Sequence, residues 1–347
     1  MYWLKKHPDF KLNGRDYSLT ELEDLGKKHL TSEIESERDF GHLMLDWIND
    51  SAYMTVHTSG TTGTPKLIQI EKRQMINSAQ ATADFFELKP KDKALLCMPT
   101  KYIGGKMMWV RAWVCGWHLD AVPPTSTPLL STDSCYDFTA MVPLQVEESW
   151  QLFHRIKKII IGGAKLDDTL REKLLTVPTI CYETYGMTET ITHIAAKKIE
   201  ENHFTALPNV AFSLDPRDCL IIEAPKVNEQ TVVTNDIVRL IDAQHFEWLG
   251  RLDNVINSGG VKIYPEKIEN LLSPLINRRF FIAGLNDSRL GQKVVLVIEG
   301  KPYPLTKNNF EALHPYERPK EIFFVDQFTE TPTGKIKRNE ILMQLQQ

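Results

Sequence analysis

The chain holds 347 residues, 42% hydrophobic and 25% charged, with a formal net charge of -4 at pH 7. That length suits one large domain or two, and the apolar fraction supports a sizeable core, which excludes a wholly disordered chain. The slightly acidic balance leaves no basic footprint for nucleic acid and no polybasic membrane anchor.

Along the chain, the opening MYWLKKHPDF has no apolar stretch of signal-peptide length, and nowhere do 18 uncharged apolar residues run together. No membrane partner is therefore expected, and a soluble, cytoplasmic protein is. The strand-like run 52–56 leads into His57-Thr58-Ser59-Gly60-Thr61-Thr62-Gly63-Thr64-Pro65-Lys66, which gathers five hydroxyl side chains, two glycines and a lysine. Glycines let the backbone bend tightly and approach a ligand, and backbone N–H groups, hydroxyls and an ammonium suit a polyanion such as the triphosphate of ATP. No G-x-x-x-x-G-K-[ST] can be read through the segment, so it is not the common P-loop. Out of context such a string is an ordinary polar turn.

Residues 66–70 then read as a short strand. Met75, Ile76, Ala79, Ala83 and Phe86 recur at helical spacing over 71–87, and 94–98 is a buried-strand run. A helical segment follows at 106–117, and the Pro- and Ser/Thr-rich stretch 122–134 is the longest loop. Residues 158–161 form another strand, ending in Gly162-Gly163-Ala164, before a polar helix at about 167–175 and a strand at 179–182. Alternating strands and helices imply βαβ units and a mainly parallel sheet. From 190 to 250 the helical periodicity fades, and runs such as 219–223 and 237–241 suggest a β-rich subdomain.

Residues 253–347 read as a separate α+β unit. It has helical character within 263–272, strands at 280–285, 293–298 and 321–325, and a closing amphipathic helix at 335–345. The expected fold is thus α/β: a large N-terminal α/β domain (1–252) with a β-rich subdomain, plus a small mobile C-terminal α+β domain (253–347). Five scattered cysteines, Cys97, Cys115, Cys135, Cys181 and Cys219, without a C-x-x-C pair, argue against disulfides and a zinc site.

The string TSGTTGTPK resembles the phosphate loop of the adenylate-forming enzymes, the superfamily of acyl-CoA synthetases, luciferases and peptide-synthetase adenylation domains. Further segments occur in that family's order. Ile159-Ile160-Ile161-Gly162-Gly163-Ala164 resembles its strand-to-turn element beside adenine, so Gly163 and Ala164 are expected against the base. Tyr182-Glu183-Thr184-Tyr185-Gly186-Met187-Thr188-Glu189 resembles Y-G-x-T-E. By that resemblance Tyr185 and Gly186 serve adenine, Thr188 the α-phosphate, and Glu189 holds Mg²⁺, an ion that seeks hard oxygen donors.

Thr234-Asn235-Asp236 stands where the family carries T-G-D, with Asn235 departing from the glycine, and Gly250-Arg251-Leu252-Asp253 matches G-R-x-D. The resemblance gives Asp236 and Arg251 to the ribose and Asp253 to the hinge. Asn257-Ser258-Gly259-Gly260-Val261-Lys262-Ile263-Tyr264-Pro265-Glu266 resembles the segment that opens the C-terminal domain, where Gly259 and Gly260 would line the channel for coenzyme A. Finally, Thr331-Pro332-Thr333-Gly334-Lys335-Ile336-Lys337-Arg338 carries Lys335 at the position of the catalytic lysine.

The resemblance implies an ATP- and Mg²⁺-dependent ligase. A carboxylate attacks the α-phosphorus of ATP to give an acyl-adenylate, then coenzyme A captures the acyl group. Lys66, Thr188, Mg²⁺ and Lys335 would neutralise charge developing on phosphate oxygens. The phosphate loop begins unusually early, near residue 57. Compact forms of this kind resemble the o-succinylbenzoate–CoA ligases of menaquinone biosynthesis, notably over residues 98–111. Their substrate carries a second, ring carboxylate, for which Arg111 offers a bidentate fork, with Tyr102, Met108 and Trp109 as candidate walls and Lys106 as a weaker cation. Other aryl- or acyl-CoA ligases, carrier-loading adenylating enzymes and a non-catalytic nucleotide-binding homologue stay open on the residues alone. A homodimer is the common outcome for such an enzyme, though no residue pattern reports it.

Overall fold

The computed structural model describes residues 1–57, 67–164, 166, 168–330 and 336–345. Strand β1 (Lys11–Leu12) precedes helices α1 (Leu19–Leu30) and α2 (Glu35–Ile48), elements that the sequence reading did not resolve. Helix α1 starts at Ser18, whose side chain accepts from the Glu21 amide while the Glu21 carboxylate accepts from the Ser18 amide. The two helices cross at Gly26 and Gly41: a Cβ on Gly41 would lie 2.7 Å from the Gly26 carbonyl oxygen. That close approach seats Leu43, Met44 and Trp47 in the core.

The antiparallel pair β2 (Tyr53–His57) and β3 (Leu67–Glu71) brackets residues 58–66. There follow α3 (Lys72–Phe85), β4 (Lys93–Leu96), α4 (Ile103–Cys115), β5 (His118–Ala121), β6 (Tyr136–Met141), α5 (Pro143–Ser149), β7 (Ile156–Ile161), α6 (Asp168–Leu174) and β8 (Ile180–Gly186). Helix α4 begins three residues before the expected 106 and ends at Gly116, whose φ of +76° provides a left-handed cap. It is buried around most of its circumference, Lys106 and Arg111 included, because it runs through the core rather than over it.

Six further strands extend the same layer: β9 (His193–Lys198), β10 (Phe204–Ala206), β11 (Ala211–Leu214), β12 (Cys219–Glu223), β13 (Val232–Asp242) and β14 (His245–Arg251) join β8 to complete it. The resulting 12-stranded sheet has the order β1-β5-β4-β6-β7-β8-β9-β10-β14-β13-β12-β11. It is parallel from β1 to β8 and antiparallel from β8 onward. The β-rich stretch foreseen at 190–250 therefore continues the main sheet. The buried run 159–161 of β7 lies in its middle, covered on both faces.

The C-terminal part is a smaller sheet of β15 (Ile256–Ser258), β16 (Val261–Ile263), β17 (Phe280–Asp287), β18 (Gly291–Glu299) and β19 (Glu321–Val325), with helices α7 (Pro265–Leu272) and α8 (Arg338–Leu345). Alternation along β17 and β18 divides its core. Ile282, Val294, Leu296 and Ile298 pack with α7 on one face, and Phe281, Val295 and Val297 with Phe328 and Ile341 on the other.

Candidate active site

The expected site residues Thr58, Ser59, Gly60, Thr61, Thr62, Gly63, Lys66 and Lys335 lie outside the described residues. The remainder gather mainly at the carboxyl end of the sheet where β8 meets β9 and parallel pairing gives way to antiparallel. Beside it, β7 ends in Gly162 and Gly163. A Cβ on Gly162 would lie 2.6 Å from Thr184 Oγ1, and Gly163 takes φ +88°. Ala164 is exposed at the same turn.

Gly186 closes β8 under a tighter demand: its Cβ would fall 2.2 Å from the Thr192 carbonyl oxygen and 2.5 Å from His193 Cα. Here the chain turns through Thr188–Thr190 and returns as β9. The Thr190 hydroxyl holds the turn, donating to the Met187 or Thr192 carbonyl (3.0 and 2.9 Å) and accepting from the Met187 amide at 3.0 Å. Ile191 sits at φ +67°, a conformation that costs a β-branched residue about 1–3 kcal/mol and persists only where the surroundings enforce it. Thr188 and Glu189 occupy this turn. Glu189 is exposed and, among the described residues, its carboxylate has no ion-pair partner. No trio of metal-ligating side chains occurs among the described residues. One free carboxylate fits Mg²⁺, which keeps several waters and takes further oxygens from substrate phosphates.

Tyr185, Asp236 and Arg251, far apart in sequence, come together. Asp236 and Arg251 are cross-strand partners on β13 and β14. The Tyr185 hydroxyl donates to Asp236 Oδ2 at 2.7 Å, and Arg251 Nε stands 3.8 Å from Oδ1. Burial and the adjacent carboxylate push the Tyr185 phenol well above its ordinary pKa, so it stays a donor. Trp248, which the sequence reading overlooked, donates Nε1 to Asp236 Oδ1 at 3.2 Å. Its signal was only its place three residues before Arg251 on an alternating strand. Asn235 needs no glycine conformation, because it is an extended strand residue bonded to Arg217 (3.3 Å) and Asp253 (3.4 Å).

On α4, Tyr102 is 41% exposed at the helix start, whereas Arg111 is 2% exposed. Arg111 Nη2 donates to Thr192 Oγ1 at 2.9 Å and Nη1 meets Met108 Sδ at 3.6 Å, while Nε is buried without a partner among the described residues. Burial lowers its pKa to about 10, so it remains a cation at neutral pH. No carboxylate pairs with it among the described residues. Trp109 departs from expectation. Two residues along a helix rotate a side chain by about 200°, which turns it from Arg111 into contact with Phe10, Phe40 and Trp113. It is core, not a wall of a slot. Lys106 is also buried, in the field of Asp46 and Asp39 on α2.

Gly259 and Gly260 form the two-residue turn between β15 and β16, with φ +59° and +82°. Both central residues at positive φ define a tight hairpin turn that favours glycine. They stand on the smaller sheet, tied to the 290 loop by Gly259 N–H to the Leu290 carbonyl at 2.8 Å. Nearby, Glu266 on α7 packs against Gly250, where a Cβ would lie 2.5 Å from its Oε2.

Comparison with known proteins gives this arrangement a context. The AMP-binding enzyme family matches residues 19–226. A solved acyl-CoA synthetase (AMP-forming)/AMP-acid ligase II-like protein from Dyadobacter fermentans is 35% identical, with a TM-score of 0.62 over 93% of this chain and 98% of that one. The 2-succinylbenzoate–CoA ligase of Lactococcus lactis is 23% identical over 86% of this chain and 72% of its own length. An indoleacetate–CoA ligase of Aromatoleum aromaticum is 25% identical over 82% of this chain and 66% of its own. The O-succinylbenzoate coenzyme A synthetase of Bacillus subtilis, solved with ATP and magnesium ion, shares the fold at 19% identity. Its TM-score is 0.72 over 83% of this chain and 69% of that one.

Proposed function

Because the chain belongs to the AMP-binding enzyme family, we propose that it joins a carboxylic acid to coenzyme A through an acyl-adenylate, and that the acid is o-succinylbenzoate. A free carboxylate has no good leaving group, so the first half-reaction makes one: the substrate oxygen attacks the α-phosphorus of ATP and pyrophosphate departs. Tyr185 flanks the adenine, and Asp236 with Arg251 hold the ribose hydroxyls. A carboxylate accepts two hydrogen bonds, which suits a vicinal diol. Thr188 donates to the α-phosphate. Mg²⁺, held by Glu189, would screen the phosphate charge when bound. Lys66 and Lys335 supply cations for the same task, and residues 253–347 then turn at Asp253 so that Gly259 and Gly260 line the path of the thiol.

One observation carries the choice of acid. Arg111 is a buried guanidinium with unspent donors and no carboxylate partner among the described residues, placed against Thr192 beside the Thr188–Glu189 turn. An uncompensated charge in such a place is costly. The ring carboxylate of o-succinylbenzoate, unlike the carboxylate that reacts, remains free to neutralise it. The kinship with 2-succinylbenzoate–CoA ligases supports this reading. The indoleacetate–CoA ligase relative keeps a simple aryl acid as the second reading.

Thioester formation with o-succinylbenzoate, indoleacetate, benzoate, 4-coumarate and a medium-chain fatty acid tests it. A clear preference in kcat/KM for o-succinylbenzoate is expected. A preference for any monocarboxylic acid would replace it.

A further inference from the structure

The polar groups around Arg111 show how a buried guanidinium is kept in one orientation. Arg111 Nη2 donates to Thr192 Oγ1 at 2.9 Å and approaches His193 Nδ1 at 3.4 Å. The Thr192 hydroxyl, with its oxygen so engaged, donates its own proton to Nδ1 at 3.0 Å. Both neighbours of Nδ1 are donors, so the network assigns the bare lone pair to Nδ1 and the ring proton to Nε2. Nε2 then donates to Thr82 Oγ1 at 3.3 Å, whose hydroxyl donates to the Ser78 carbonyl at 2.9 Å. The series runs in one direction, from the α4 cation through β9 to the backbone of α3. Reversing any step would set two donors face to face.

His193 is buried, and Phe86 packs on its ring edge at a centroid distance of 5.9 Å. Burial beside the Arg111 cation drives its pKa well below the ordinary histidine value. The imidazole is thus a fixed neutral acceptor. A carboxylate here would neutralise Arg111 itself and leave it nothing to bind, whereas a neutral acceptor orients the cation and leaves its charge unspent.

We propose that His193 is a positioning residue that fixes the Arg111 guanidinium for the second carboxylate of the acid substrate, and so sets the preference for a dicarboxylic over a monocarboxylic acid. This rests on the o-succinylbenzoate reading above. Thr192 and Thr82 are its two supports.

The test compares KM and kcat for o-succinylbenzoate and for 4-oxo-4-phenylbutanoate, the same acid without the ring carboxylate. The enzymes are wild type, His193→Phe, His193→Gln and Thr82→Val. His193→Phe removes the ring's polar contacts to Arg111, Thr192 and Thr82 at similar volume. It is expected to raise KM for the diacid about tenfold or more, the effect of one lost hydrogen bond to a charged group. It should change kcat by less than about threefold and leave KM for the monoacid within about twofold. His193→Gln keeps an acceptor and a donor and should recover most of the loss. Thr82→Val removes only the Nε2 acceptor and should give a smaller shift of the same kind, so it carries the test if His193→Phe does not fold. Parallel losses on both acids, or an unchanged preference, would overturn the positioning role. A wild-type enzyme without preference for the diacid would overturn the substrate reading, and with it the purpose assigned to His193.

Discussion

Asp236 is the junction of the candidate nucleotide site, and its replacement can be worked through atom by atom. The carboxylate is 6% exposed and accepts from Tyr185 O–H at 2.7 Å and Trp248 Nε1–H at 3.2 Å. Asp236→Asn keeps the shape and replaces one acceptor by a donor. If the amide nitrogen faced Trp248, two donors would meet with no remedy, because an indole N–H cannot accept. The amide oxygen must therefore face Trp248. The amide nitrogen then meets the Tyr185 oxygen, which accepts once its hydroxyl rotates away. Both hydrogen bonds survive as neutral ones, at a loss of about 1–3 kcal/mol in total. Arg251 also loses its counter-charge, but it is 46% exposed at 3.8 Å, so solvent screening leaves little of that interaction. Asp236→Ala takes the carboxylate acceptor from two half-buried donors, at up to about 1–3 kcal/mol each. The expected order of stability in denaturant unfolding is wild type, then Asn, then Ala. ATP affinity by calorimetry should fall about tenfold or more for Asn, since the reversed Tyr185 hydroxyl and the missing charge both alter the proposed ribose site. Equal stability of Asn and Ala variants, or an Ala variant as stable as wild type, would refute the hydrogen-bond account.

Three other outcomes are expected. Lys335→Ala should abolish pyrophosphate exchange yet spare thioester formation from supplied acyl-adenylate; equal loss of both half-reactions would make Lys335 structural. Gly186→Ala forces a Cβ onto the Thr192 carbonyl and should destabilise by about 1–3 kcal/mol or more, as overpacking does. It should depress kcat further than a stability loss explains, because the displaced turn carries Thr188. A fully active, equally stable Gly186→Ala enzyme would contradict that. Lys72 is buried, donating to the Trp47 carbonyl at 2.9 Å and Asn49 Oδ1 at 3.0 Å, and burial lowers its pKa to about 8. The unfolded state therefore holds the extra proton between pH 8 and the ordinary lysine value, so stability should rise with pH across that window. Lys72→Met should remove that rise in unfolding experiments run from pH 7 to 10.5.

Much of this was legible because local signals and tertiary demands agreed. The apolar run 159–161 of β7, the period of α3 and the apolar run 280–285 of β17 each match the surface they bury, so their elements fall where the sequence puts them. Glycines were equally readable, since Gly163, Gly259 and Gly260 adopt positive φ and Gly186 admits no side chain. Trp109 was not, because a helix buried on every side has no polar face to report its rotation. The first fifty residues failed for a different reason. Helices α1 and α2 meet through Gly26 and Gly41, and nothing local in a sequence marks a glycine as a contact point between helices. Trp248 and His193 were missed because their partners, Asp236 and Arg111, are distant in sequence, and a lone polar residue within an apolar strand carries no signal of what it will meet.

The change from parallel to antiparallel pairing after β8 explains why the two proposed recognition tasks sit side by side. To reverse direction at that point the chain must leave the sheet and re-enter it within six residues, Met187 to Thr192, and it does so with Ile191 at positive φ and Gly186 pressed on the returning strand. The outward arm of the turn carries Thr188 and Glu189, the groups proposed for phosphate and Mg²⁺. The returning arm carries Thr192 and His193, which hold Arg111. A rigid turn thus fixes the spacing between phosphate-binding groups and the cation proposed for the far end of the acid. An acid that spans that spacing presents its reactive carboxylate to the phosphorus without further adjustment, and pre-paid orientation of this kind can lower a bimolecular barrier by several kcal/mol. Loosening the turn, as at Thr190, whose hydroxyl bonds both Met187 and Thr192, should therefore reduce kcat for the diacid more than it reduces binding of either ligand alone. Thr190→Val measured by single-turnover adenylate formation and by separate binding of ATP and acid decides this, and equal losses in all three would show that the turn does not couple the two sites.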